Sequence, residues 1–121
     1  MSGFLMDTNV IFELVRVEPD ANVVQWVGGV AEAPLFLSVL TLGEIRKGIE
    51  RLRAGRRRDR METWLRVGLR GRFGSQILPV DDPIAERWGS VSGIAAGKGR
   101  QLPVIDALLA ATALEHGLAL A

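Results

Sequence analysis

An α/β fold, with a short central parallel sheet covered by helices, is predicted by two features of this 121-residue chain. Short apolar strand candidates occur at residues 4–6, 35–38 and 77–80. Between them lie apolar stripes at helical spacing, an alternation that belongs to parallel sheets buried on both faces. The length suits one compact domain over residues 1–121 and is too short for two.

Phe4, Leu5 and Met6 form the first strand candidate. Val10, Ile11, Leu14 and Val15 then recur as a helix, which Thr8 or Asn9 is expected to cap. Pro19-Asp20 restarts the chain, and Val23, Val24, Trp26 and Val27 suit a second helix that Gly28-Gly29 would end. Residues 35–38 read as the second strand. Thr41-Leu42-Gly43-Glu44 has capping-box spacing, so a third helix is expected to begin there, with Leu42, Ile45, Ile49 and Leu52 on its buried stripe.

After Gly55 a fourth helix carries Met61, Trp64, Leu65 and Leu69 to about Gly71, and residues 77–80 form the third strand candidate. Asp81-Asp82-Pro83 sets an acid and a proline in a first turn, which starts a fifth helix with Ile84, Trp88, Val91 and Ile94 on its stripe. Glycines at 97 and 99 break it. Pro103 opens a sixth helix through Glu115, with Ile105, Leu108, Leu109, Thr112 and Ala113 facing inward. Gly117 stops it, His116 reads as a dipole or capping residue, and 118–121 is a last apolar segment.

The net charge of +1 hides a division. Between Arg46 and Arg72 eleven basic residues stand against three acidic ones, a net of +8, which leaves −7 for the rest. Such a chain can hold a polyanion at one place and act on it at another. The absence of cysteine excludes disulfides, thiol catalysis and thiolate metal sites, and a single histidine excludes a multi-histidine site. No apolar run approaches a membrane span, and the N-terminus lacks the pattern of a signal peptide, so a cytoplasmic protein is expected.

Open parallel sheets place their sites at the carboxyl ends of the strands, and three acids are positioned for this. Asp7 follows the first strand, Glu44 lies soon after the second, and Asp106 opens the helix that leads to the last apolar segment. Carboxylates without His or Cys make a hard oxygen site suited to Mg²⁺ or Mn²⁺. Each acid also has a structural explanation: Glu44 as half of the capping box, Asp106 as a helix-dipole partner. Asp7 is the hardest to explain that way, because an acid directly after an apolar strand is costly unless it is bonded.

Met6-Asp7-Thr8-Asn9-Val10, then 37–45 (LSVLTLGEI), then 104–113 (VIDALLAATA) resemble, in this order, the motifs of the PIN domain, and more narrowly those of VapC (FitB-like) toxins. The resemblance spans nearly the whole chain. It implies an α/β/α sandwich and a Mg²⁺- or Mn²⁺-dependent endoribonuclease leaving 5′-phosphate and 3′-hydroxyl ends, with Asp7, Glu44 and Asp106 as catalytic residues and metal ligands. Thr8 and Asn9 would support the site, with Ser38 and Thr41 in a similar position; helix capping is the alternative for each. The family usually continues through a strand to a fourth acid, so the resemblance implies that the final strand is cut short here, that this acid is absent and that activity is weak.

Arg51, Arg53, Arg56, Arg57, Arg58 and Arg60 gather around the turn between the third and fourth helices, either as a solvated surface or as RNA-phosphate contacts. Without tyrosine, and with Trp26, Trp64 and Trp88 on core stripes, recognition by shape and charge is favoured over base stacking. The resemblance implies a homodimer inhibited by a VapB-type antitoxin lying in an apolar groove of the first four helices. A PIN-like module that binds RNA or protein without cutting is the alternative. A receiver domain would want paired acids after the first strand, and a haloacid-dehalogenase phosphatase would want Asp-x-Asp; Asp7-Thr8-Asn9 offers neither.

Overall fold

A computed structural model describes residues 3–15, 20–29 and 34–121. Its strands are β1 (Phe4–Leu5), β2 (Leu35–Ser38), β3 (Ile77–Leu78) and β4 (Ala119–Leu120). They form one sheet in the order β3-β2-β1-β4, and every pairing is parallel. Phe4 and Leu5 pair with Leu35 and Phe36 on one side and with Ala119 and Leu120 on the other. The final strand, expected to be cut short, is present as β4, because the turn at Gly117 returns the chain beside β1.

The seven α-helices among the described residues are α1 (Thr8–Leu14), α2 (Ala21–Gly29), α3 (Val39–Glu50), α4 (Arg56–Thr63), α5 (Arg70–Phe73), α6 (Asp82–Gly97) and α7 (Val104–His116). Side chains alternate across a strand, and here the alternation divides the core in two. Met6, Leu35 and Leu37 pack with Ile11, Ile45, Ile49, Leu65, Leu69 and Phe73 on one face. Leu5, Phe36 and Leu78 pack with Leu109, Ala113 and Leu118 on the other. Burial of both faces explains why the strands are short apolar runs.

Helix starts depart from expectation at two places. The cap of α1 is Asp7, whose extended backbone lets Oδ1 accept the Asn9 N–H at 2.8 Å, so Thr8 and Asn9 fall inside the helix. A carboxylate accepts that bond more strongly than a hydroxyl or an amide. The capping box at Thr41 does not form either. Helix α3 begins directly after β2 at Val39, with the Ser38 hydroxyl accepting the Leu40 N–H at 3.0 Å, which leaves Thr41 and Glu44 free for other partners.

The predicted fourth helix is interrupted by a π-helical stretch, Trp64–Leu69, between α4 and α5. Gly68 sits against Trp64 there: a Cβ would come within 3.1 Å of Trp64 Cδ1. The row Leu65, Leu69, Phe73 stays buried through the change of pitch. Asp81 caps α6 as expected, accepting the Ile84 N–H at 3.2 Å.

The stripe of α6 is only partly buried: Ile84 is fully enclosed, whereas Ile94 is 60% exposed. The principal neighbour of α6 is α7, to which Arg87 Nε ties it through Glu115 Oε2 at 2.9 Å. Gly117, at φ 64°, closes α7 in the left-handed conformation. His116 lies in the last turn with Nε2 buried and unpartnered among the described residues, so Gly117 is the cap. Pro19 lies outside the described residues, as does the Trp26 side chain. Among the described residues no helix is long and apolar enough to cross a membrane.

Candidate active site and adjoining groove

The chain reaches the C-terminal edge of the sheet at the ends of β1 and β2, which are neighbours and parallel. Asp7 follows β1 by two residues, and its backbone N–H donates to the carbonyl of Ala121, tying the β1 exit to the end of β4. Thr8, 7% exposed, turns its side chain toward α3. Its Oγ1 donates to Glu44 Oε1 at 2.7 Å and lies 3.0 Å from Thr41 Oγ1. Thr41 is completely buried.

One short bond thus joins the segment after β1 to the helix after β2, residues 36 positions apart. Asp7 Oδ1 and Glu44 Oε1 are occupied, while Oδ2 and Oε2 have no hydrogen-bond partner among the described residues. Each carboxylate thus keeps one oxygen without a partner among the described residues.

Asp106 reaches the same edge by another route. Helix α7 ends at a tight turn into β4, which runs parallel to β1. Its thirteen residues therefore lead back by about 20 Å, at ~1.5 Å per residue, to the edge where β1 and β2 end. There Asp106 stands exposed in the first turn, where a carboxylate complements the helix dipole.

Among the described residues no three Asp, Glu or His side chains are grouped closely enough to hold a metal ion. Asp7 and Glu44 are linked through Thr8, and Asp106 shares their edge without a described side-chain bond. The donors are all hard oxygens, two with a free lone-pair face, and this chemistry fits Mg²⁺ or Mn²⁺. Of the supporting residues, Thr8 and Thr41 contact Glu44 or its partner, Ser38 caps α3, and Asn9 is exposed at the mouth of a groove.

That groove, about 930 Å³, runs between α1, α3 and α4. Phe12, Ile45, Ile49, Leu52 and Met61 give it an apolar lining, and Arg57 and Arg60 stand along it. The arginines divide into engaged and free groups. Arg58 donates to the Leu52 carbonyl at 3.1 Å and to Glu50 Oε2 at 3.3 Å, so it closes the turn between α3 and α4. Arg51, Arg53, Arg56, Arg57 and Arg60 have no such partners among the described residues.

A further arginine was not singled out by the sequence. Arg46 makes a two-pronged pair with Glu62, at 2.6 and 2.9 Å, locking α3 to α4. The hydrogen bonds from Arg46 hold the Glu62 carboxyl below the usual glutamate value, and Glu62 raises Arg46 in return. Its signal in the sequence was weak, because residues sixteen apart reveal no pairing before the helices are placed.

The PIN domain family model matches residues 4–121. The chain belongs to the PIN domain family. This PIN domain is 32% identical over 117 residues to Toxin FitB of Neisseria gonorrhoeae, a match covering 97% of this chain and 84% of FitB. It is also 32% identical, with the same coverage, to VapC ribonuclease Y4jK of Sinorhizobium fredii. The crystal structure of FitAcB from Neisseria gonorrhoeae superimposes with a TM-score of 0.88 at 32% identity, over 97% of this PIN domain and 84% of that chain. The predicted α/β sandwich and the resemblance to VapC and FitB toxins both hold.

Proposed function

We propose that this PIN domain, taken as one domain over residues 1–121, is the toxin of a type II toxin–antitoxin pair: a Mg²⁺- or Mn²⁺-dependent endoribonuclease of the cytoplasm. The observation that supports the reading is the Thr8–Glu44 bond, which ties the segment of the first motif to the acid of the second. Asp7, Glu44 and Asp106 would hold the ion, whose chemistry, when bound, is to make water a stronger nucleophile and to neutralise charge on the phosphate. Thr8 orients Glu44, Thr41 stands behind Thr8, and Asn9 and Ser38 shape the backbone around them. Arg51, Arg53, Arg56 and Arg57 would contact RNA phosphates, with Arg58 adding charge from its place in the turn.

The apolar groove beside Asn9 suits a VapB-type antitoxin segment, and a homodimer is the expected state of the toxin. That one relative is named a toxin and another a ribonuclease supports both halves of the proposal. The test is cleavage of RNA with Mn²⁺ by the wild type and by Asp7→Asn. Metal-dependent cutting that disappears in the variant is expected. RNA binding without cutting by the wild type would overturn the nuclease reading in favour of a binding module.

A further inference from the structure

The four threonines all lie on helices with partnered hydroxyls, and they divide by what they do. Thr63 Oγ1 donates to the Asp59 carbonyl at 3.1 Å, and Thr112 Oγ1 to the Leu108 carbonyl at 2.8 Å. Both use the carbonyl four residues back, the local acceptor open to a helical threonine. Thr41, as deeply buried as Thr112, stands in the first turn of α3, where the residue four back, Leu37, belongs to β2 and offers no helical acceptor. Its Oγ1 faces Thr8 Oγ1 at 3.0 Å instead.

Proton counting then fixes a direction. A hydroxyl has one hydrogen, and a carboxylate at neutral pH only accepts. Thr8 gives its hydrogen to Glu44 Oε1 at 2.7 Å. It has none left for Thr41, so Thr41 must donate to Thr8. The chain runs one way, Thr41 to Thr8 to Glu44, and each bond polarises the next.

We propose that Thr41 is a positioning residue for the carboxylate site: its buried hydroxyl orients Thr8 as a donor, and Thr8 in turn fixes Glu44 Oε1 and leaves Oε2 for the ligand. This rests on Glu44 belonging to the site. Removing the Thr41 hydroxyl leaves the buried Thr8 oxygen without its donor and frees the Thr8 hydrogen to turn away. The side chain at 41 touches no ligand itself. Its effect passes entirely through Glu44.

The experiment titrates metal-free protein with Mn²⁺, counting free ion by electron paramagnetic resonance, for wild type, Thr41→Val, Thr41→Ser, Thr8→Val and Glu44→Gln. Melting temperatures without metal confirm that each variant is folded. Thr41→Val is expected to weaken Mn²⁺ binding about ten-fold, as loss of an outer partner of a metal ligand does, and Thr8→Val by at least as much. Thr41→Ser, which keeps the hydroxyl, is expected to bind as wild type does.

Wild-type affinity in Thr41→Val beside a weakened Glu44→Gln would overturn the proposal while leaving Glu44 in the site. Wild-type affinity in Glu44→Gln would overturn the placement of Glu44 itself, and the proposal with it. Should valine at 41 not fold, Thr41→Ala makes the same comparison without a second methyl to accommodate.

Discussion

Asp7 combines two demands in one side chain: it caps α1 through Oδ1 and is the acid nearest the end of β1. Substitution separates them. Asparagine accepts the same N–H, so Asp7→Asn is expected to keep its melting temperature within about 1 °C while cleavage falls by more than about a hundred-fold, beyond the loss of an outer partner. Asp7→Ala loses both functions, costing about 1 kcal/mol of cap and roughly 4 °C in melting temperature. Thermal melts beside the RNA assay check this, and an Asp7→Asn that cuts normally removes Asp7 from the site. An acid directly after an apolar strand is visible in a sequence because it needs an explanation. Which of Asp7, Thr8 and Asn9 caps the helix was not visible, since all three are capping residues and only backbone geometry chooses. Thr41 and Glu44 misled for a related reason: their spacing fits a capping box and also fits a helix interior that presents both to Thr8.

Among the elements, α3 and α4 are joined by charge as well as by apolar contact. The Glu62 carboxyl is held below its ordinary value chiefly by hydrogen bonding from Arg46, so the pair stabilises the fold at pH values above the glutamate range. That contribution is lost as the pH falls through the lowered value, when the folded carboxyl takes a proton. Glu62→Gln is therefore expected to melt below wild type at pH 7, with the gap closing as the pH is taken well under 4.5, the ordinary glutamate value. A gap independent of pH would show that packing, not charge, is what the substitution disturbs. Strand β2 was legible residue for residue, because 35–38 is an uninterrupted buried run. The π-helical turn at Trp64–Leu69 was not. Within it Trp64 lies against Gly68, a contact that apolar periodicity does not encode.

For the whole molecule, the charge division along the chain is carried by particular elements. Asp7 follows β1, Glu44 lies in α3 and Asp106 in the first turn of α7, while the basic segment forms the turn and flanks of α3 and α4, and the groove is lined from Asn9 to Arg57. The sequence shows the +8 segment but gives no distinction among its arginines. The structure separates Arg58, bonded to Leu52 and Glu50, from Arg51, Arg53 and Arg56, which project without described partners. Free arginines that meet phosphates displace counterions, and each contact to a single strand contributes about 0.7 to the slope of log affinity against log salt. Replacing Arg51, Arg53 and Arg56 together by glutamine is thus expected to lower the magnitude of that slope by up to about 2, with the melting temperature unchanged. Arg58→Gln should do the reverse, lowering the melting temperature by loosening the α3–α4 turn while altering the slope little. Binding isotherms at four or five salt concentrations, paired with melts, distinguish the two groups. If the triple variant keeps the wild-type slope, the exposed arginines are a solvated surface and RNA lies elsewhere.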